Sequence, residues 1–141
     1  MTNLILPHGS NELNTLYIED EMARSSMLSA AAEMRSLEIS SAAAANAVMM
    51  AAGYFNPLTG FMNKEEAIKV SKEMLTLNDV FWPVPIVNIT KDANSLDYTH
   101  GEEIALKDPN IEGNPVIAIQ RIDNVEKLSL IHISEPTRHH V

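Results

Sequence analysis

The chain has 141 residues, 10 Lys+Arg against 19 Asp+Glu for a net charge of -9, a hydrophobic content of 45% and no cysteine. That length and apolar share suit a single soluble domain with its own core. Zero Cys excludes a disulfide scaffold, a thiolate nucleophile and Cys-ligated zinc or iron–sulfur sites, and the acidic balance opposes nucleic acid, whose phosphates call for a basic footprint.

The first residues, MTNLILPHGSNE, lack the basic start, apolar middle and small-residue cleavage site of a secretory signal. Leu4, Ile5 and Leu6 read as an arm or a first strand that stops at the turn Pro7-His8-Gly9-Ser10. Glu19-Asp20-Glu21 opens a first helix, because acids suit the positive end of the helix dipole, with Met22, Leu28 and Ala32 as its expected stripe. A second helix covers residues 42–52, capped by Ser40 or Ser41 and stopped by Gly53. Its alanines imply close packing on another element. Residues 42–52 are also the longest apolar stretch, broken by Asn46, and far short of the ~20 residues that span a bilayer.

Next comes Tyr54-Phe55-Asn56-Pro57-Leu58-Thr59-Gly60-Phe61-Met62, dense in aromatics and breakers. Pro57 biases Asn56 toward extended backbone, Gly60 permits a positive φ, and flanking aromatics lock such a loop onto a core. Asn63-Lys64-Glu65-Glu66 starts a third helix with Ala67, Val70, Met74 and Leu75 as its stripe. Residues 81–89 are β-rich, with Pro83 and Pro85 marking a sheet edge or strand start. Residues 91–98 are turn-like, 102–108 form a short strand before the Pro109-Asn110 turn, and 115–119 read as a buried strand. Residues 124–127 are helix-like. Helices followed by short strands point to an α+β domain around a small mixed β-barrel.

The last stretch, LSLIHISEPTRHHV at 128–141, breaks with the rest. It reads as a non-native run, similar to translated sequencing-adapter sequence joined to a truncated gene, with a disordered tail as the alternative. The expected domain therefore covers 1–127.

No catalytic constellation emerges from the residues, and no catalytic, cofactor-binding or metal-binding residue is expected. His8 and His100 each stand apart, and His132, His139 and His140 lie in the tail, so none has ligand spacing. The pairs Asp20-Glu21, Glu65-Glu66 and Glu102-Glu103 are adjacent, and neighbours on a helix or strand point in different directions. They read as solvated charges or helix-start acids. Five glycines, at 9, 53, 60, 101 and 113, spell neither phosphate-loop pattern, and no GxSxG elbow is present.

Gly53-Tyr54-Phe55-Asn56-Pro57-Leu58-Thr59-Gly60-Phe61-Met62 resembles the Gly-x-[Phe/Tyr]-[Ser/Asn]-Pro-Leu-x-Gly-Phe-Met signature of the N-terminal domain of ATP sulfurylases (sulfate adenylyltransferases). Pro7-His8-Gly9 resembles that family's opening turn, with Ser10 where a further glycine often stands. Trp82-Pro83-Val84-Pro85-Ile86 is similar to its Trp-Pro-x-Pro-Ile strand start. Residues 102–108 and 116–119 resemble its paired strands, so the likeness covers residues 3–127.

The resemblance implies a PUA-like domain, a small mixed β-barrel with packed helices, in a cytoplasmic nucleotidyltransferase of sulfur metabolism. That enzyme joins ATP and sulfate into adenosine 5′-phosphosulfate and pyrophosphate, or runs the reverse. ATP and Mg²⁺ are implied for the full-length member, for which a homo-oligomer is also compatible, and not for this segment. The family's Gln-x-Arg-Asn-Pro-x-His motif is absent: Gln120-Arg121 continues as Ile122-Asp123-Asn124. The chain thus resembles a non-catalytic first domain that ends before the catalytic one. Two alternatives are a stand-alone PUA-like module that binds RNA, which the charge opposes, and an interaction domain. In the latter, residues 54–62 and 81–85 would form an apolar docking patch.

Overall fold

The computed structural model describes residues 4–91 and 97–126. The helices are α1 (Glu21–Ala31), α2 (Ser41–Ala51) and α3 (Lys64–Glu73), and the strands are β1 (Ser36–Glu38), β2 (Glu103–Lys107) and β3 (Val116–Arg121). The expected tail at 128–141 and most of the turn-like 91–98 segment lie outside the described residues.

Each helix starts where a short polar side chain satisfies an orphan backbone N–H. Asp20 accepts from Ala23 N at 2.8 Å, Ser40 Oγ from Ala43 N at 3.1 Å, and Asn63 Oδ1 from Glu66 N at 2.8 Å. Two expected stripes need correction. On α1, Met22 is 82% exposed and Leu28 half exposed, and Ala31 is the buried position. On α3, Ala67 and Val70 are fully buried, whereas Met74 is the left-handed C-cap at φ 55°. The helix ends one residue before the stripe would have continued.

The sheet runs β1-β2-β3, with β1 parallel to β2 and β2 antiparallel to β3. A parallel pair needs a long crossover, and α2 and α3 lie within it. β1 has no counterpart among the expected strands; its signal is the alternation of buried Leu37 and Ile39 about exposed Glu38. β3 is half-buried from Val116 to Gln120 rather than buried, because it covers the core from one side at the sheet's edge.

Among the described residues the sheet is open, so the expected closed barrel is not formed. The α+β class holds. Residues 81–89 form no strand beyond a single bridge between Leu75 and Phe81. Pro83 and Pro85 have no N–H to give a ladder, and the neighbouring amides are used elsewhere: Trp82 N donates to Met74 O at 2.8 Å. Residues 4–6 form an exposed arm rather than a strand, and 124–126 are not helical.

The core has two parts. Leu37, Ile39, Ala43, Ala44, Ile104, Leu106 and Ile122 pack α2 onto the sheet, where the alanines let the backbones approach. Met50, Leu58, Met62, Ala67, Val70, Trp82 and Ile86 pack α3 and the 55–62 turn under the far end of α2. Phe61 touches both clusters. It is the side chain that makes one domain of them.

At the sheet's entrance Arg35 grips Glu102 with two bonds of 2.6 Å and lies 4.5 Å over the Tyr98 ring. This ties the residue before β1 to the residue before β2, so Glu102 is a structural partner rather than a solvated charge. The Arg35 bond, helped by the Thr99 N–H, pulls the Glu102 carboxyl down from its ordinary 4.5 to about 2. A folded-state value below the unfolded one contributes stability that is fully present above pH 4.5 and lost as pH falls toward about 2. Glu102→Gln should flatten the part of the melting-temperature profile between those pH values that belongs to this pair. A profile as steep as that of the parent would place the acid sensitivity elsewhere.

Candidate functional site

Three segments that are distant in sequence converge on one knot: the 7–10 loop, the 53–62 turn and residues 81–86. Its centre is Asn56, which is 5% exposed. The Asn56 amide nitrogen donates to His8 O at 2.7 Å and to Ser10 Oγ at 2.8 Å, while its oxygen accepts from Asn14 N at 3.0 Å. The amide thus has both donors in use, and the N-terminal loop is moored at three points. The Asn56–Pro57 peptide is cis.

Gly9 sits on Pro57 with φ +74°, and a Cβ there would stand 2.8 Å from the proline ring. Glycine meets both demands, the left-handed backbone and the close approach. The same logic places Gly53 after α2: φ is +84°, and a Cβ would press Leu13 at 3.1 Å. Gly60 differs from expectation. Its φ is not positive, and a Cβ would meet nothing within 4 Å among the described residues.

His8 donates from Nε2 to Phe81 O at 2.7 Å, and its ring lies 6.0 Å from Trp82. Phe55 stands edge-on to the indole at 5.5 Å. Trp82 Nε1 is buried without a hydrogen-bond partner, so the indole is held by packing rather than by its polar end. Met62 N donates to Ile86 O at 2.7 Å and closes the knot.

The polar side chains His8, Ser10 and Asn56 are hydrogen-bonded within the knot. His8 is committed to a carbonyl, and His100 likewise donates from Nδ1 to Asp123 O at 2.8 Å in another loop. Among the described residues no three His, Cys, Asp or Glu side chains come together to hold a metal. Gln120 lies on β3 and accepts from Asn88 at 3.0 Å, a pairing within the domain. The expected apolar docking patch at 54–62 and 81–85 is divided between core and surface: Leu58, Met62 and Trp82 are buried, Phe55 and Phe61 half-buried, and Tyr54, Phe81 and Val84 exposed. No helix among the described residues is long and apolar enough to cross a membrane.

Replacing Asn56 tests the mooring. Ser10 Oγ already donates to Glu12 O at 2.6 Å. An Asn56→Asp carboxylate would therefore face two acceptors, and Asn56→Ala would orphan Asn14 N. Either change should destabilise the chain by about 3 kcal/mol in urea unfolding, the cost of stranding buried polar groups. A loss below about 0.5 kcal/mol, the level of an ordinary surface change, would show that the loop is held by other contacts.

A family model described as PUA-like domain matches residues 5–135. Sulfate adenylyltransferase of Alcanivorax borkumensis is 49% identical over 127 residues, which are 90% of this chain and 31% of that protein. The enzyme of the same name from Allochromatium vinosum is 40% identical over 126 residues, 89% of this chain and again 31% of the relative. The chain therefore spans about a third of the length of the relatives it matches. A solved structure described as hexameric APS kinase from Thiobacillus denitrificans superposes with a TM-score of 0.73 at 29% identity, over 88% of this chain and 24% of that one. With the matched residues covering nearly the whole chain, the chain belongs to the PUA-like domain family.

Proposed function

We propose that this chain is the N-terminal, non-catalytic part of a cytoplasmic sulfate adenylyltransferase, acting in sulfur metabolism on ATP and sulfate or on their products. The observation that carries the reading is the pairing of 49% identity with coverage of only 31% of the relative. Likeness that close along the chain makes it a piece of the same kind of protein. Coverage that small leaves room for the chemistry elsewhere.

The described residues support the division. They offer no carboxylate or histidine cluster for Mg²⁺, and the glycines at 9 and 53 serve backbone packing rather than a phosphate cradle. The residues here do not fit the metal, and no step of the reaction is assigned to them. Their role is structural: the knot around Asn56 gives the larger enzyme a rigid flank. Assembly of the full-length protein into a homo-oligomer is part of the reading, supported by the solved relative described as hexameric. The charge of -9 speaks against the RNA-binding module.

Sulfate-dependent exchange of labelled pyrophosphate into ATP tests the reading. The 141-residue chain alone should give no exchange. A chimera in which residues 4–126 replace the matching segment of the Alcanivorax borkumensis enzyme should exchange at a rate within about tenfold of that enzyme, a penalty of about 1.4 kcal/mol in transition-state stabilisation. Exchange by the chain alone, or a folded but inactive chimera, would refute it. A salt-dependent shift on titration with RNA would favour the binding module instead.

A further inference from the structure

Where the knot closes, one of its two bonds ends on sulfur. Met62 N donates to Ile86 O at 2.7 Å, and Ile86 N returns a bond to Met62 Sδ at 3.4 Å. Among the described residues this is the only sulfur that accepts a hydrogen bond. The bond is buried, with Ile86 2% exposed and Met62 7%, in the core cluster that also holds Leu58, Val70 and Trp82. The Ile86 amide thus has a thioether, a weak acceptor, where a strand ladder would supply a carbonyl.

Met62 also lines an open cleft of about 1870 Å³ between the turn, α1 and β3, far larger than a hydroperoxide. Small reagents therefore reach the residue from the cleft although its side chain belongs to the core. In a chain without cysteine, the thioethers are the sulfur that such an oxidant meets.

We propose that Met62 is a redox-sensitive latch of the domain, closed as the thioether and opened as the sulfoxide. A sulfur lone pair attacks the outer oxygen of a hydroperoxide, the O–O bond breaks and an S–O bond forms. Sulfur gives up two electrons, and the displaced oxygen takes the proton and leaves as an alcohol or water. An N–H···O contact by itself takes about 2.9 Å. An oxygen set into the 3.4 Å gap between Sδ and Ile86 N therefore needs the two segments to part, against the Met62 N bond that holds them together. Placed elsewhere on the sulfur, the oxygen is a new polar atom among apolar side chains. Either way the 53–62 turn loosens from residues 81–86, which carry Phe81 O and Trp82, the contacts of His8. The latch belongs to the domain itself and holds whatever the full-length protein does.

The other methionines set the comparison. Met22 is 82% exposed and Met74 48%, so they oxidise first, and no hydrogen bond depends on their sulfur. Met50 is buried in the same cluster and lines the same cleft, also without a bond to its sulfur.

Titration of the 141-residue chain with hydrogen peroxide tests this, with Met50→Leu and Met62→Leu alongside the parent. Peptide mass mapping locates each sulfoxide, and melting and amide exchange at Ile86 report its effect. Oxidation at Met22 and Met74 should leave melting within about 2 °C of the untreated chain, as changes at exposed positions do. Oxidation at Met62 should lower melting by at least about 5 °C and speed Ile86 exchange at least about tenfold, in the parent and in Met50→Leu. Met62→Leu should exchange Ile86 faster from the start, and peroxide should add nothing to that. Methionine sulfoxide reductase with a dithiol, which returns the thioether and releases water and a disulfide, should restore the parent.

A Met62 sulfoxide with unchanged melting and Ile86 exchange would overturn the proposal, as when the new oxygen pairs with the unpartnered Trp82 Nε1. So would a Met62 that stays reduced after Met50 is fully oxidised, or a loss of stability that vanishes in Met50→Leu. Should Met62→Leu fail to fold, the parent and Met50→Leu decide the matter between them.

Discussion

The fold of this chain depends on one buried amide. Asn56 supplies two donors and an acceptor to a loop that comes from nearly fifty residues earlier, at His8 and Ser10. No other side chain of that size offers both kinds of group in that geometry. Its neighbours each contribute one contact to the same end. Gly9 lets the loop lie on Pro57, and His8 ties the loop to Phe81. Trp82 packs its ring against both His8 and Phe55. The arm that continues from this loop reaches α2 at Leu16, and α1 follows from the arm.

The knot also explains how two small cores behave as one domain. A sheet of three strands is too small to enclose a core alone, and here it is closed on one side by the alanine face of α2. The second core holds the other end of α2 through Met50. Phe61 belongs to both, and it is the residue next to the turn's glycine. A rigid frame built this way needs no charged group in its centre. The ion pairs stay outside, at Arg35 with Glu102 and at Lys69 with Asp79.

Helix starts are legible in the sequence because they are local: Asp20, Ser40 and Asn63 each cap within three residues. The density of aromatics and breakers at 54–62 likewise identifies the turn that organises the core. Strands are less legible, since a strand exists by virtue of its partner. β1 is three residues long and is defined by β2, some 67 positions away at Glu102 and Arg35. Residues 81–89 have strand composition, yet two prolines and the demands of the knot direct their amides elsewhere. The α1 stripe differs for a further reason. Hydrophobicity selects Met22, Leu28 and Ala32, whereas the position that is buried is Ala31. Residue type alone does not separate two faces of a helix that is mostly exposed. Within the knot, ligand spacing and phosphate loops are sequence patterns, so His8 and Gly9 can be weighed against them from the sequence. What the two residues do instead, at Phe81 O and on Pro57, takes the fold to see.

A domain that is well braced within and apolar without is under two different constraints. Burial of Ile104, Leu106, Val70 and Ile86 satisfies the requirement of folding. It does not account for Leu28, Val48 and Tyr17, whose exposure costs solubility and returns nothing to the isolated fold. The net charge of -9 opposes contact between copies through repulsion, which protects such a surface without covering it. The charged groups that border this face are of both signs, Glu19, Glu66 and Asp123 with Arg24 and Arg121, so the repulsion belongs to the chain as a whole rather than to the face itself.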